Sequence, residues 1–373
     1  MEENLRQAKQ YSKYKIRLTV IQLFLTTAFL IAMLLSGASL LLSELIIDWS
    51  SNFHLQVALY LAIFAGIYYL LFAPLDFYDS FILEHKFLLS NQTLLGWLKK
   101  SIKKGLLSLL ILLVVGEALY FSLRHFPNHW WLLATGAWVL LTIVLGKITP
   151  VLIIPLFYRC SPLDNNDLKE KLLSLGKGCD VKIRDVFEIQ LSKDTKKANA
   201  AVVGLGKGRR ILLGDTLLNN YSDDEIEAIF AHELGHLQML HIWKILGFGA
   251  GVSLACFYLT YLLLNVGISL FGFDHIYNIA AFPLLSLVLT VMGLTLTPIQ
   301  NGYMRYLEKQ SDMFALSHIQ NKQSFISAIT KLGNQNLSDP SPGRLVELFF
   351  YTHPPISRRL HYAREKNQEQ PEY

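Results

Sequence analysis

A chain of 373 residues that is 52% hydrophobic and only 17% charged, with a positive mean hydropathy, has the composition of a membrane protein. Its net charge of +5 comes from basic residues at the ends of apolar runs rather than in one patch, which argues against a nucleic-acid partner. Three cysteines (Cys160, Cys179 and Cys256) lie far apart with no C-x-x-C spacing, so neither a disulfide framework nor a thiolate metal site is expected.

The first 17 residues are polar and basic, and no cleavable signal peptide is expected, because the apolar run that follows is long enough to span. Six runs of spanning length follow, at residues 18–42, 55–74, 106–123, 130–155, 245–271 and 279–299. The fourth contains Lys147 and Pro150, so its last third should be irregular. Residues 84–104 carry five lysines, and the tail from Arg305 is basic again. The positive-inside rule therefore expects both termini, the 84–104 loop and the polar block 157–241 on the cytoplasmic side. Glu117, inside the third run, reads equally as a residue lining a wet cavity or as one near the outer interface. Asp76 and Asp79 read as helix-end residues rather than ligands.

The polar block opens with a helix pattern at 165–176 and an alternating strand at 181–190. Gly204, Gly206 and Gly208 then lie between two strand patterns, which makes a hairpin; a phosphate loop would open a helix instead. Its first strand, residues 199–203, is a candidate edge for pairing with an extended peptide, with an ordinary hairpin as the alternative. Ser222 and Glu225 form a capping box that starts the next helix. Within that helix His232 and His236 stand at i and i+4, so both imidazoles reach one metal ion from the same face. Glu233 sits beside them, placed to take a proton from an activated water, which is the His-Glu-x-x-His zinc-peptidase arrangement. His241 is rotated off that face.

After the last apolar run, residues 302–318 read as a helix with Glu308 and Asp312 on one face. Glu308 is the candidate third ligand, leaving the fourth position open, and Asp312 the candidate acceptor for a ligand histidine's free ring N–H. His318, nearly three turns beyond Glu308, is a weaker candidate ligand. His353 precedes two prolines; it stands equally as an oxyanion donor or as a surface histidine.

Together these motifs resemble the type I CAAX prenyl protease family, integral-membrane zinc endopeptidases that process farnesylated proteins. The resemblance rests on Phe81-Ile-Leu-Glu-His-Lys-Phe with Asn91-Gln-Thr-Leu, on Asn199-Ala-Ala-Val-Val-Gly-Leu with Arg210-Ile-Leu-Leu-Gly-Asp-Thr-Leu-Leu, and on Glu227-Ala-Ile-Phe-Ala-His-Glu-Leu-Gly-His. It continues through Glu308-Lys-Gln-Ser-Asp-Met-Phe-Ala and His353-Pro-Pro-Ile-Ser-Arg-Arg-Leu. The resemblance implies zinc on His232, His236 and Glu308, Glu233 as general base, and Asp312 behind the ligands. It also implies that Asn199 and Ala200 lie on the substrate strand, that His353 and Arg359 complete the transition-state side, and that membrane helices ring a water-filled chamber. The chain departs from eukaryotic members in having six expected spans instead of seven, no long insertion before the metal helix, Arg358 where Glu is frequent, and no endoplasmic-reticulum retrieval signal. It therefore resembles a compact prokaryotic member of a cytoplasmic membrane, with the endoplasmic-reticulum membrane as the alternative.

The expected fold is mainly α: a polytopic membrane bundle enclosing a chamber, with a zinc-peptidase domain containing a small β-sheet. Its expected units are a four-helix membrane region (1–156), a cytoplasmic zinc-peptidase segment (157–241), two further membrane helices (242–300) and the C-terminal part of the catalytic domain (301–373). The expected function is hydrolysis of peptide bonds in a peptide or protein substrate, prenylated by family resemblance, at one zinc ion within a lipid bilayer. A quality-control protease without a prenyl requirement is the rival within the enzyme class. A membrane scaffold with structural zinc is the rival outside it, disfavoured because three ligands beside a base make an open site.

Overall fold

The computed structural model describes residues 2–179, 181, 183, 185–204 and 210–368. Six helices are long and apolar enough to cross a membrane. In chain order the N-terminal helices are α1 (Glu2–Leu35), α2 (Ala38–Trp49), α3 (Phe53–Lys86), α4 (Leu94–His125) and α5 (Trp130–Phe157). All but the 12-residue α2 are spans. The first apolar run does not continue to residue 42. Helix α1 ends at Leu35, and Gly37, with φ +72°, turns the chain into α2. That short helix is pinned inside the bundle: the Ser39 hydroxyl donates to the Ala280 carbonyl and lies 2.6 Å from the buried Tyr60 hydroxyl.

Asn52 and Thr93 cap α3 and α4 through side-chain oxygens that accept from Leu55 and Gly96 amides. Near their cytoplasmic-expected ends α3 and α5 are both interrupted: α3 has Pro74 just before a π-helical stretch, Tyr78–Ile82, and α5 has Pro150 within one, Thr149–Ile153, with Pro155 just after it. A proline removes one ladder donor, and a π turn is one way to absorb the lost bond. The irregularity expected around Lys147 and Pro150 takes this form. Glu117 lies in the C-terminal third of α4, with Oε2 2.8 Å from His54 Nδ1 at the start of α3. A cavity of about 630 Å³ opens among α1, α3, α4 and the last span, with Phe64, Tyr68, Phe72 and Phe282 in its wall.

The polar block forms β1 (Cys160–Pro162), α6 (Asn166–Gly178), β2 (Val186–Ile189), β3 (Ala200–Val203) and β4 (Arg210–Gly214). The sheet order is β1-β2-β4-β3, with β2 and β4 parallel and the outer pairs antiparallel. Of the 181–190 pattern, β2 is the strand among the described residues; residues 180, 182 and 184 lie outside them. Strands β3 and β4 are the arms of the expected hairpin, whose Gly206 and Gly208 also lie outside them. Then come α7 (Asp223–Gln238), α8 (His241–Leu270) and α9 (Ile279–His318). The chain ends in α10 (Lys322–Gln335), α11 (Arg344–Phe350) and α12 (Ile356–Gln368).

Helix α9 differs from the expected pair of elements. The last membrane run and the stretch carrying Glu308 and Asp312 are one continuous helix, so the face bearing these two carboxylates continues directly from the membrane bundle. A second link is ionic. Lys15 of α1 meets Asp79, while Lys197, just before β3, lies 2.8 Å from Glu84 and 2.8 Å from the Tyr11 hydroxyl. The sheet edge is thus tied to the ends of two membrane helices.

Candidate active site

Helix α7 starts where its capping box requires. The Ser222 side chain accepts from the Glu225 amide, and Glu225 Oε2 accepts from the Ser222 amide at 2.9 Å. Glu225 is buried and also holds Ser327 and Lys331 of α10, at 2.5 and 2.6 Å. Phe230, Ala231, Leu234 and Leu237 are buried around the helix, so it is packed on nearly every side. Against α9 it packs on glycine: a Cβ at Gly235 would stand 3.0 Å from Ser311 Cα. That closeness brings the side chains of both helices together.

His232, His236 and Glu308 converge, with one potential ligand atom from each lying within 4.8 Å of the others. The two Nε2 atoms are 3.2 Å apart, His232 Nε2 is 3.2 Å from Glu308 Oε2, and His236 Nε2 is 3.5 Å from Glu308 Oε1. Ligands at ~2.05 Å on a tetrahedral ion sit roughly 3.3 Å apart, close to the distance between the two imidazoles and to that from each imidazole to its nearer Glu308 oxygen. Glu308 Oε2 is buried and lacks a hydrogen-bond partner, as expected of an atom that faces a cation. Burial alone would lower His232, but Asp312 and Glu308 outweigh it and push it up to about 9. The site attracts positive charge, and the donor set suits zinc.

Asp312 is fully buried, with Oδ1 2.8 Å from His232 Nδ1, at an angle off that of a straight hydrogen bond. Its carboxylate accepts two bonds from Arg359, at 2.8 and 2.5 Å, and one from the Tyr362 hydroxyl. Arg359 therefore spends Nε and Nη2 on Asp312. Tyr362, unmarked in the sequence reading, stands three residues past Arg359 on α12, and that i, i+3 spacing was the available signal.

Glu233 is half-buried beside the cluster. Burial pushes its carboxyl up, opposed by His232 and His236. Its Oε2 accepts from the Val202 amide at 3.1 Å. Because the Gly214 amide donates to the Asn199 carbonyl, residues 199, 201 and 203 face β4, while Ala200 and Val202 turn their backbone groups outward. β3 is thus a sheet edge beside the cluster, and Asn199 and Ala200 line its cleft. Upstream, the Asn336 side chain occupies both the amide and the carbonyl of Ala198, a contact with no sequence signal. His353 has 55% of its side chain exposed and points Nε2 to 3.2 Å from Glu308 Oε2 across the cleft. The cleft encloses about 400 Å³. His318 is not drawn in; its Nδ1 contacts Phe314 O and Ser317 instead.

An open three-donor cluster with an adjacent carboxylate, beneath a sheet edge and joined to six spans, defines a membrane metalloendopeptidase. Residues 162–367 match the family described as Peptidase family M48, and residues 1–159 match "CAAX prenyl protease N-terminal, five membrane helices". The chain belongs to peptidase family M48. It is 31% identical to an uncharacterized metalloprotease, YhfN, of Bacillus subtilis, over 98% of this chain and 86% of that protein. It is 30% identical to CAAX prenyl protease 1 of Saccharomyces cerevisiae, over 82% of this chain and 71% of that protein. The crystal structure of S. mikatae Ste24p superposes with a TM-score of 0.86 at 25% identity, covering 97% of this chain and 89% of that one.

Proposed function

We propose that this endopeptidase uses one zinc ion, held by His232, His236 and Glu308, to cleave an extended peptide bound along β3. The observation that carries the reading is the meeting, in one cleft, of a three-donor cluster whose ligand atoms lie within 4.8 Å of one another, Glu233 and the free edge of β3. Zinc bound there supplies a Lewis acid for the scissile carbonyl and acidifies water at neutral pH. Glu233 takes the proton of the attacking water and returns it to the leaving amine; its raised carboxyl and its tether on the Val202 amide suit both transfers. His353 donates from Nε2 to the oxyanion. Asp312 orients His232, and Arg359 with Tyr362 hold Asp312. The outward groups of Ala200 pair with the substrate backbone, with Asn199 at the near end of that edge.

We place this site on the cytoplasmic side, as the lysine-rich 84–104 loop supports. Taken with the relatives named CAAX prenyl proteases, the reading extends to a substrate carrying a prenylated C-terminal cysteine. Two matched peptides, one farnesylated and one unmodified, test it on detergent-purified protein with and without a zinc chelator. Chelator-sensitive cutting of the farnesylated peptide alone is expected. Equal cutting of both would contradict the prenyl requirement and favour a quality-control protease.

A further inference from the structure

We propose that His241 is a positioning residue for the metal site, holding His236 in the one tautomer that can face a cation; the inference rests on the zinc reading above. His236 turns Nε2 towards His232 and Glu308, so that nitrogen must present a lone pair and the ring proton must sit on Nδ1. That Nδ1 lies 3.0 Å from His241 Nδ1. His241 therefore accepts there and carries its own proton on Nε2, which lies 3.2 Å from Gln310 Oε1. The chain closes without conflict, because Gln310 Nε2 donates to the Tyr306 hydroxyl at 2.9 Å. Ser311 Oγ, 3.4 Å from the same His241 Nδ1, is the other polar neighbour. One assignment of protons satisfies both rings and the Gln310 side chain.

The backbone supports the same assignment. His241 is fully buried, and the residue before it, Leu240, takes a left-handed conformation with φ +55°. A leucine seldom adopts that region. Here it breaks α7 from α8 and swings His241 back behind His236. The two ligand histidines are thus held differently: His232 faces the Asp312 carboxylate, while His236 donates to a neutral relay that ends in an amide.

The experiment compares zinc affinity, by chelator competition, for the full chain in detergent and for His241→Leu, His241→Asn and Gln310→Leu. Melting of the metal-stripped proteins reports folding separately. Leucine removes the acceptor, and zinc affinity should fall about 10- to 100-fold. Asparagine places an amide oxygen near the position of Nδ1 and should recover most of that loss. Gln310→Leu, at a half-buried site, should weaken zinc less than His241→Leu does, and it carries the test if His241→Leu does not fold. Wild-type zinc affinity in His241→Leu or Gln310→Leu, or an equal loss in the leucine and asparagine variants, would overturn the proposal. Failure of the wild-type protein to bind zinc would overturn the zinc reading instead.

Discussion

Replacing Gly235 by alanine tests whether the gap between α7 and α9 sets the metal centre. The added Cβ would lie 3.0 Å from Ser311 Cα and 3.2 Å from Phe314 Cβ. Carbon atoms in good contact stand ~3.5–4.0 Å apart, so the helices must part by roughly 0.5 Å or more. The atom met first is backbone and has no rotamer to change. Overpacking of this kind costs about 1–3 kcal/mol, of which alanine's better helix propensity returns about 1 kcal/mol. The net loss of stability should be small, about 0–2 kcal/mol. Activity should suffer more, because α7 carries His232, His236 and Glu233 while α9 carries Glu308. A displacement approaching 1 Å costs on the order of 100-fold in rate. Gly247 in α8 is the control, since a Cβ there meets nothing within 4 Å. Melting temperature and peptide cleavage are measured for both variants in detergent. Wild-type cleavage by Gly235→Ala would show that the gap between α7 and α9 does not set the metal centre.

Three further outcomes are expected. His353→Ala should lower kcat about 10²- to 10³-fold with zinc content unchanged, read by single-turnover cleavage and metal analysis. Arg359→Lys loses the fork on Asp312 and should weaken zinc about 10-fold or more in chelator competition; a lowered kcat with intact zinc affinity would instead place Arg359 on the oxyanion. Burial alone would raise Glu225, but Lys331, Ser327 and the Ser222 amide outweigh it and hold its carboxyl below the usual range. Its stabilisation is then fully present above the unfolded value near ~4.3 and is lost as pH falls through the lower folded value. The difference in melting temperature between wild type and Glu225→Gln should therefore shrink as pH drops below about 4.3.

The parts of this site legible in the sequence are those fixed by local helix geometry. His232 and His236 share a face because they are four residues apart, and Ser222 with Glu225 marks the helix start for the same reason. Long-range partners were less accessible: nothing near Asp312 announces Tyr362 fifty residues on, and nothing near Glu117 announces His54. Hydropathy averaged across Ser36 and Gly37, where one positive φ ends a helix within an apolar run. His241 shows the sharpest limit. Along an unbroken helix its phase is simply off the ligand face, whereas Leu240 resets the backbone and returns the ring to the far side of His236. Periodicity assumes continuity, and one left-handed residue removes it.

Proton transfer through Glu233 at a zinc centre is the core of the proposed function. Glu233→Gln keeps the side chain's shape while removing the base. Zinc stoichiometry and peptide cleavage, measured on the same purified preparation, should show one ion per chain as in the wild type and cleavage reduced to background. Cleavage at the wild-type rate by the zinc-loaded Glu233→Gln protein would contradict it.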